Sequence, residues 1–229
     1  MPEAVRVHYQ QELEQLEASA LGGLDLVSEA LRRTMEAVEH QDVELAQLVI
    51  ADDDRIDGRY LEVHQALVTL LATQSPVATD LRLISSLLHV LKNVERMGDQ
   101  CVNVCKLLPL AGNEPPADEE MVRLIRSMGK HTRTLISQAK RAFEERDVEM
   151  ARDLVRRDDA VDNLNRECFR LALDLGDDAD VREWAMTMLL AARAIERIGD
   201  NAVDIGERVA YMASGEFREF TDASHPVDT

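Results

Sequence analysis

Carboxylates spaced four residues apart on a helix can share a cation, and this sequence carries such pairs in a repeated arrangement. Asn93-Val94-Glu95-Arg96-Met97-Gly98-Asp99-Gln100-Cys101-Val102-Asn103-Val104 returns later as Ala194-Ile195-Glu196-Arg197-Ile198-Gly199-Asp200-Asn201-Ala202-Val203-Asp204-Ile205. Oxygen side chains fall at i, i+4 and i+8 in both, as Glu95, Asp99 and Asn103, then Glu196, Asp200 and Asp204. Successive members lie about 40° apart around a helix, so each trio forms one stripe. Like charges at that spacing repel by roughly 0.2–0.5 kcal/mol per pair. A cation would relieve that repulsion. An upstream pair precedes each copy, Asp53 with Asp57 and Asp158 with Asp162.

The donor set is all oxygen, without histidine or thiolate at matching positions. It suits ferric iron, magnesium, manganese or calcium better than copper. With Glu95 at 0°, Asp99 falls near 40° and Asn103 near 80°, while Val94, Gly98, Cys101 and Cys105 cluster at roughly 240–300°. The acids are therefore expected to point away from the core and to hold a surface-bound, multinuclear cluster. The bland alternative is a solvated acidic face balanced by Arg55, Arg96 or Arg197. Retention of both pairs in both copies favours the site.

Helices must position these acids. Leu13, Leu16, Ala20, Leu24, Val27, Leu31 and Val38 recur at spacings of three and four, predicting a first helix over 5–40 with a bend at Gly22-Gly23. Asp42 offers an N-cap for a second helix reaching Thr73, and Ser75-Pro76 reads as serine N-cap and proline N1 of a third, ending near Leu110. Ala111-Gly112-Asn113-Glu114-Pro115-Pro116 reads as a linker. Asp118 caps a fourth helix, Asp147 opens a fifth, and Asp180-x-x-Glu183 reads as the capping box of a sixth that Gly215 stops.

The halves are copies. Asp42-Val43-Glu44-Leu45-Ala46 matches Asp147-Val148-Glu149-Met150-Ala151 at an offset of 105, as Asp53 to Asp57 matches Asp158 to Asp162. The glutamate motif is offset by 101, so the turn before it is four residues shorter in the second copy. This is a duplicated three-helix unit. The expected fold is all-α: two tandem pseudo-symmetric three-helix bundles built from six long antiparallel helices. The expected bounds are 1–110 for the first bundle, 111–117 for the linker, 118–215 for the second bundle and 216–229 for a polar C-terminal tail. At about 1.5 Å per residue, the aspartate pair before the turn and the glutamate–aspartate pair after it both lie roughly 30 Å from it. Four carboxylates can thus meet.

The 229 residues suffice for one large or two modest domains, and a helical reading allows cores of roughly 110 residues each. A net charge of −18 argues against a nucleic-acid footprint, and 3% aromatics with abundant alanine, leucine, glutamate and arginine is a bundle composition. No apolar run approaches the roughly 20 residues of a spanning helix, and the first residues lack a secretory core, so a cytoplasmic protein is expected. Cys101, Cys105 and Cys168 read as reduced thiols, the first two on the core face. Gly98 and Gly199 read as packing glycines and Trp184 as core. His64 shares a face with Asp53 and Asp57, but Phe169 at the matching position counts against a ligand role.

Gln74-Ser75-Pro76-Val77-Ala78-Thr79-Asp80-Leu81-Arg82 leading into Val94-Glu95-Arg96-Met97-Gly98-Asp99, with Ile195-Glu196-Arg197-Ile198-Gly199-Asp200 near the end, resembles the PhoU family of phosphate-uptake regulators. The resemblance covers nearly the whole chain. It implies two three-helix bundles bearing multinuclear iron or zinc clusters, with Asp53, Asp57, Glu95 and Asp99 as ligands in one and Asp158, Asp162, Glu196 and Asp200 in the other. Asn103 and Asp204 are outer candidates, and Asp204 facing asparagine's place in the first copy makes the second patch more acidic. The resemblance also implies a negative regulator of phosphate uptake and starvation signalling, peripherally associated with membrane complexes. It would bridge the ATPase of the phosphate ABC transporter and a sensor histidine kinase. Monomer and homodimer both stay open.

Two other classes bear weighing. A ferritin-like di-metal enzyme needs inward carboxylates and a Glu-x-x-His motif, which does not occur in this sequence. A metal-free helical scaffold is the other. No nucleophile–base pair, phosphate-binding loop or dinucleotide fingerprint points to catalysis.

Overall fold

Short acidic caps set where most of the helices begin. The computed structural model describes residues 3–74, 76–111, 118–175 and 178–220, with side chains from residue 7 onward. Among them run α1 (Glu3–His40), α2 (Val43–Asp52), α3 (Asp54–Thr73), α4 (Ala78–Leu107), a 3₁₀ turn (Leu108–Ala111), α5 (Glu119–Glu145), α6 (Val148–Asp174) and α7 (Ala179–Ser214). The Asp42, Asp118 and Asp147 carboxylates accept from the amides of Leu45, Met121 and Met150 at 2.9, 2.8 and 2.9 Å. Each satisfies an amide that has no partner inside its own helix.

The duplication extends to the turns. Gln41 and Arg146, at the 105 offset, are both left-handed, with φ of 52° and 55°. In each turn the following aspartate amide donates back across the helix end, Asp42 to Ala37 at 2.9 Å and Asp147 to Ala142 at 3.0 Å. Gly215 ends α7 with φ of 78°, a conformation that costs glycine little.

Three expectations change. The second expected helix divides at Asp53, where the backbone stays helical (φ −63°, ψ −29°) but the Asp53 carbonyl accepts from both Ile56 and Asp57, at 2.8 and 3.1 Å. That tightened turn separates α2 from α3, whereas α6 passes Asp158 unbroken. Proline does not stand at the first helical position of α4: Val77 is its N-cap and Ala78 its first residue. Ser75 lies outside the described residues, as do 112–117 of the expected linker and 221–229 of the expected tail. The last helix is capped by Asp178, which accepts from Asp180 at 2.9 Å and Val181 at 3.4 Å, so the Asp180–Glu183 box is not the cap. α1 stays helical through Gly22 and Gly23, and the bare Gly23 lets Val94 of α4 approach where a Cβ would lie 2.9 Å from its Cγ1.

In the first half α1 packs on α2, α3 and α4, and in the second α5, α6 and α7 pack on one another. The halves then meet through α4 against α7 and α1 against α5. One apolar core runs through both, including Leu24, Leu31, Leu87 and Met97 from the first half and Met128, Phe143, Trp184 and Ile195 from the second. The expectation of two separate cores gives way to a shared one. Cys101, Cys105 and Cys168 are buried free thiols inside it, and burial pushes the Cys168 thiol up to about 11. No described helix is long and apolar enough to cross a membrane.

Candidate metal centre

In the first half the α2–α3 break delivers Asp53 and Asp57 toward Glu95 and Asp99 on α4. Gly98 makes the approach possible: a Cβ there would lie 2.8 Å from Asp53 Oδ1. The glycine of the repeated motif therefore seats a carboxylate from the facing helix. Burial pushes Asp53 up to about 6, and repulsion from Asp57, Asp99, Asp54 and Glu95 adds to it. Asp99 is raised for the same reasons, by burial and by Glu95 and Asp57. Four acids thus converge as charges. Glu95 is partly neutralised by Lys92, whose Nζ stands 2.6 Å away. A cleft of about 110 Å³ opens beside Asp53 and Gly98, with Arg33, Ile56 and Cys101 in its wall.

The second half repeats the seat more tightly. A Cβ on Gly199 would collide with Asp158 Oδ1. Burial pushes Asp158 up to about 7, with Asp200, Asp162 and Glu196 repelling it. Glu196 also rises to about 7, mainly through burial and Asp200, against the pull of Arg193. Asp200 is raised by burial and by Asp162 and Asp204 despite Arg193. Arg193 pairs with Glu196, and Arg166 reaches Asp162 at 3.8 Å. Asp158 Oδ1 and Glu196 Oε2 are nevertheless buried without a hydrogen-bond partner. Two orphaned carboxylate oxygens in a low-dielectric seat are costly unless a proton or a cation compensates them.

The outward orientation expected from the helical wheel needs correction. Glu196 is only 7% exposed, and Asp53, Glu95, Asp158 and Asp162 are half-buried; Asp57, Asp99 and Asp200 reach solvent. A wheel describes one helix alone, whereas here the neighbouring helix covers that flank. Asn103 is exposed one turn beyond Asp99. Asp204 touches the second cluster through Asp200 but lies chiefly among Arg208, Arg96 and Glu219, near the seam between α4 and α7. His64 sets its ring against Tyr60 at 5.5 Å between centroids, tilted by 36°.

Hard anionic oxygens with orphaned members fit a cation in kind. The side chains are not closed on one, since among the described residues no group of three or more His, Cys, Asp or Glu is arranged to hold a metal ion. Sequence reading also missed Glu207. It is buried, accepts from the Phe220 amide at 2.8 Å, and burial pushes it up to about 7. With Arg208 stacked 4.1 Å from the Phe217 ring centre, residues 216–220 fold back on α7 rather than trailing as a polar tail. Aromatic residues at 217 and 220 in an aromatic-poor chain were the available signal.

The PhoU domain matches twice, over residues 24–108 and 125–209, and each match contains one set of four acids. The phosphate-specific transport system accessory protein PhoU homolog of Clostridium acetobutylicum is 29% identical over 216 residues, covering 93% of this chain and 98% of that protein. PhoU homolog 1 of Mycobacterium bovis is 34% identical over 212 residues, covering 92% and 95%. The crystal structure of the phosphate transport system regulatory protein PhoU from Streptococcus pneumoniae superposes with a TM-score of 0.84 at 27% identity, covering 92% of this chain and 99% of that one. PhoU from Pseudomonas aeruginosa gives 0.83 at 28% identity, covering 91% and 100%. A doubled domain match, end-to-end similarity and a shared fold make this chain a member of the PhoU family.

Proposed function

We propose that this chain is an accessory regulator of phosphate transport rather than an enzyme, restraining phosphate uptake and the phosphate-starvation response from the cytoplasm. It does so by bridging the ATPase of a phosphate ABC transporter and a membrane sensor histidine kinase, without itself spanning the bilayer. The observation that carries this reading is the doubled domain match, with relatives named as phosphate-specific transport accessory proteins along nearly their full length. Deleting the gene should raise phosphate-starvation gene expression in phosphate-replete cells. An unchanged reporter refutes the regulatory reading.

We further propose that the acid sets hold iron or zinc clusters, with magnesium, manganese or calcium as alternatives. Asp53, Asp57, Glu95 and Asp99 would serve one, and Asp158, Asp162, Glu196 and Asp200 the other, with Asn103 and Asp204 at the margins. A bound cation supplies the positive charge that these crowded oxygens lack. The chain's own part is to seat Asp53 and Asp158 against Gly98 and Gly199 and to leave Glu196 Oε2 without a partner while Arg193 pairs with the other carboxylate oxygen. Elemental analysis of protein purified without chelator should show less metal per chain in the Glu196→Ala, Asp200→Ala double variant, with helical circular dichroism intact. Unchanged stoichiometry counts against the site, and no metal in the parent chain leaves a plain scaffold.

A further inference from the structure

The outer face of the α6–α7 pair leaves four large apolar side chains in the open. Phe169 and Leu173 on α6 and Met186 and Leu190 on α7 are 56%, 66%, 50% and 60% exposed. Each pair is spaced i, i+4 and so forms one stripe on its helix. Phe169 lies two turns beyond Asp162, and Met186 lies on the same stripe as Asp200, so the apolar row continues the flank on which those acids face each other. Counting from the α6–α7 turn at about 1.5 Å per residue, Phe169 and Met186 stand at similar heights, roughly 11 and 14 Å from it. The four form a patch rather than scattered exposures.

Arginines fence this patch. Arg166 and Arg170 on α6 and Arg193 and Arg197 on α7 are all exposed, with Glu183 as an acid on the same stripe. Arg166 and Arg193 lean toward Asp162 and Glu196 at the far end, each guanidinium exposed although Glu196 itself is buried. In a chain of net charge −18, a cationic apolar strip departs from the surrounding surface. The first half does not share it. The positions matching Phe169, Leu173, Met186 and Leu190 are His64, Val68, Ser85 and His89, and Leu61 and Leu81 stand where the second half has Arg166 and Arg182. The Gln41 and Arg146 turns and the acid seats were kept through the duplication, and the first half exposes Leu61, Val68 and Leu81 without an arginine rim, so the joining of apolar anchors to arginines belongs to the second copy alone.

We propose that this face docks an acidic amphipathic helix of a partner protein, its apolar side on Phe169, Leu173, Met186 and Leu190 and its carboxylates toward the arginines. The proposal rests on the reading that the chain works by bridging other proteins. Apolar anchors at i, i+4 spacing with a charged rim are what a helix lying in a groove requires. An anionic bilayer is disfavoured, because the chain carries a net charge of −18. Face-to-face pairing of two copies would set arginine rows against each other.

The test uses the full chain and a fluorescein-labelled synthetic helix with leucine on one face and glutamate on the other. A scrambled peptide of the same composition is the control. The amphipathic peptide should bind and the scramble should not. Phe169→Ser with Leu190→Ser should weaken binding about tenfold, the loss of roughly 1.4 kcal/mol. Arg166→Gln with Arg170→Gln should weaken it and flatten its salt dependence. All four positions are exposed, and circular dichroism checks that the variants fold. No binding, equal binding of the scramble, or binding unmoved by either variant overturns the proposal. So does loss in the variants of binding to phosphatidylglycerol vesicles, or of self-association by sedimentation, in place of peptide binding. Peptide binding together with an unaltered reporter in the deletion strain would leave this face standing and the phosphate reading fallen. Derepression on deletion together with full repression by both double variants would do the reverse.

Discussion

A carboxylate seated against a glycine has no side chain of the facing helix between it and the backbone, and its charge is partly desolvated. In this chain that occurs twice, at Asp53 on Gly98 and Asp158 on Gly199. The consequence is a pH dependence whose sign is fixed. Asp53 rises to about 6 in the folded chain, and Asp158, Glu196 and Glu207 to about 7. An acid whose folded pKa exceeds its unfolded value binds more protons when folded, so stability falls as pH rises between the two values. The metal-free protein should melt at a higher temperature near pH 5 than near pH 8, and added iron or zinc should shrink the difference. Scanning calorimetry with and without chelator checks this; a flat or reversed profile contradicts it. Asp153, held low by Arg157 and Arg156, acts below the usual carboxylate range and leaves this window alone. The acid pairs themselves were legible, because i, i+4 spacing and duplication are visible in one dimension. The seat was not, because a glycine on a core face reads as packing between apolar helices until the facing residue is known. The burial of Glu196 was hidden for the same reason.

At the scale of elements, the helix starts at Asp42, Asp118 and Asp147 were legible because a cap is a local contract between one side chain and amides two or three residues on. The last helix shows where that reading slips. Asp178 and Asp180 are both acceptable caps in sequence, and the chain uses the earlier one. Asp178→Ala should cost about 1 kcal/mol in denaturant unfolding, while Asp180→Ala should cost little. Equal losses would mean that both side chains cap. The division at Asp53 and the folding back of residues 216–220 were not legible. The first depends on a carbonyl shared by two amides, and the second on the buried Glu207 of an adjacent helix. Neither leaves a mark in hydrophobic periodicity.

At the scale of the molecule, the repeat was plain in the sequence, but the joining of its copies was not. Periodicity tells which face of α4 or α7 is apolar without saying whether that face looks inward to its own bundle or across to the other. Here α4 packs on α7 and α1 on α5, and one core serves both halves. Thermal unfolding should therefore be a single transition, with calorimetric and van't Hoff enthalpies equal. Two resolved transitions would mean that each half folds on its own. The left-handed turns at Gln41 and Arg146 are a matched pair. The same backbone bend, closed by the same aspartate, is present twice in one covalent molecule, under one solvent and one temperature. Each half is the other's built-in control, so a substitution made at both turns reports on surroundings once the shared geometry is subtracted.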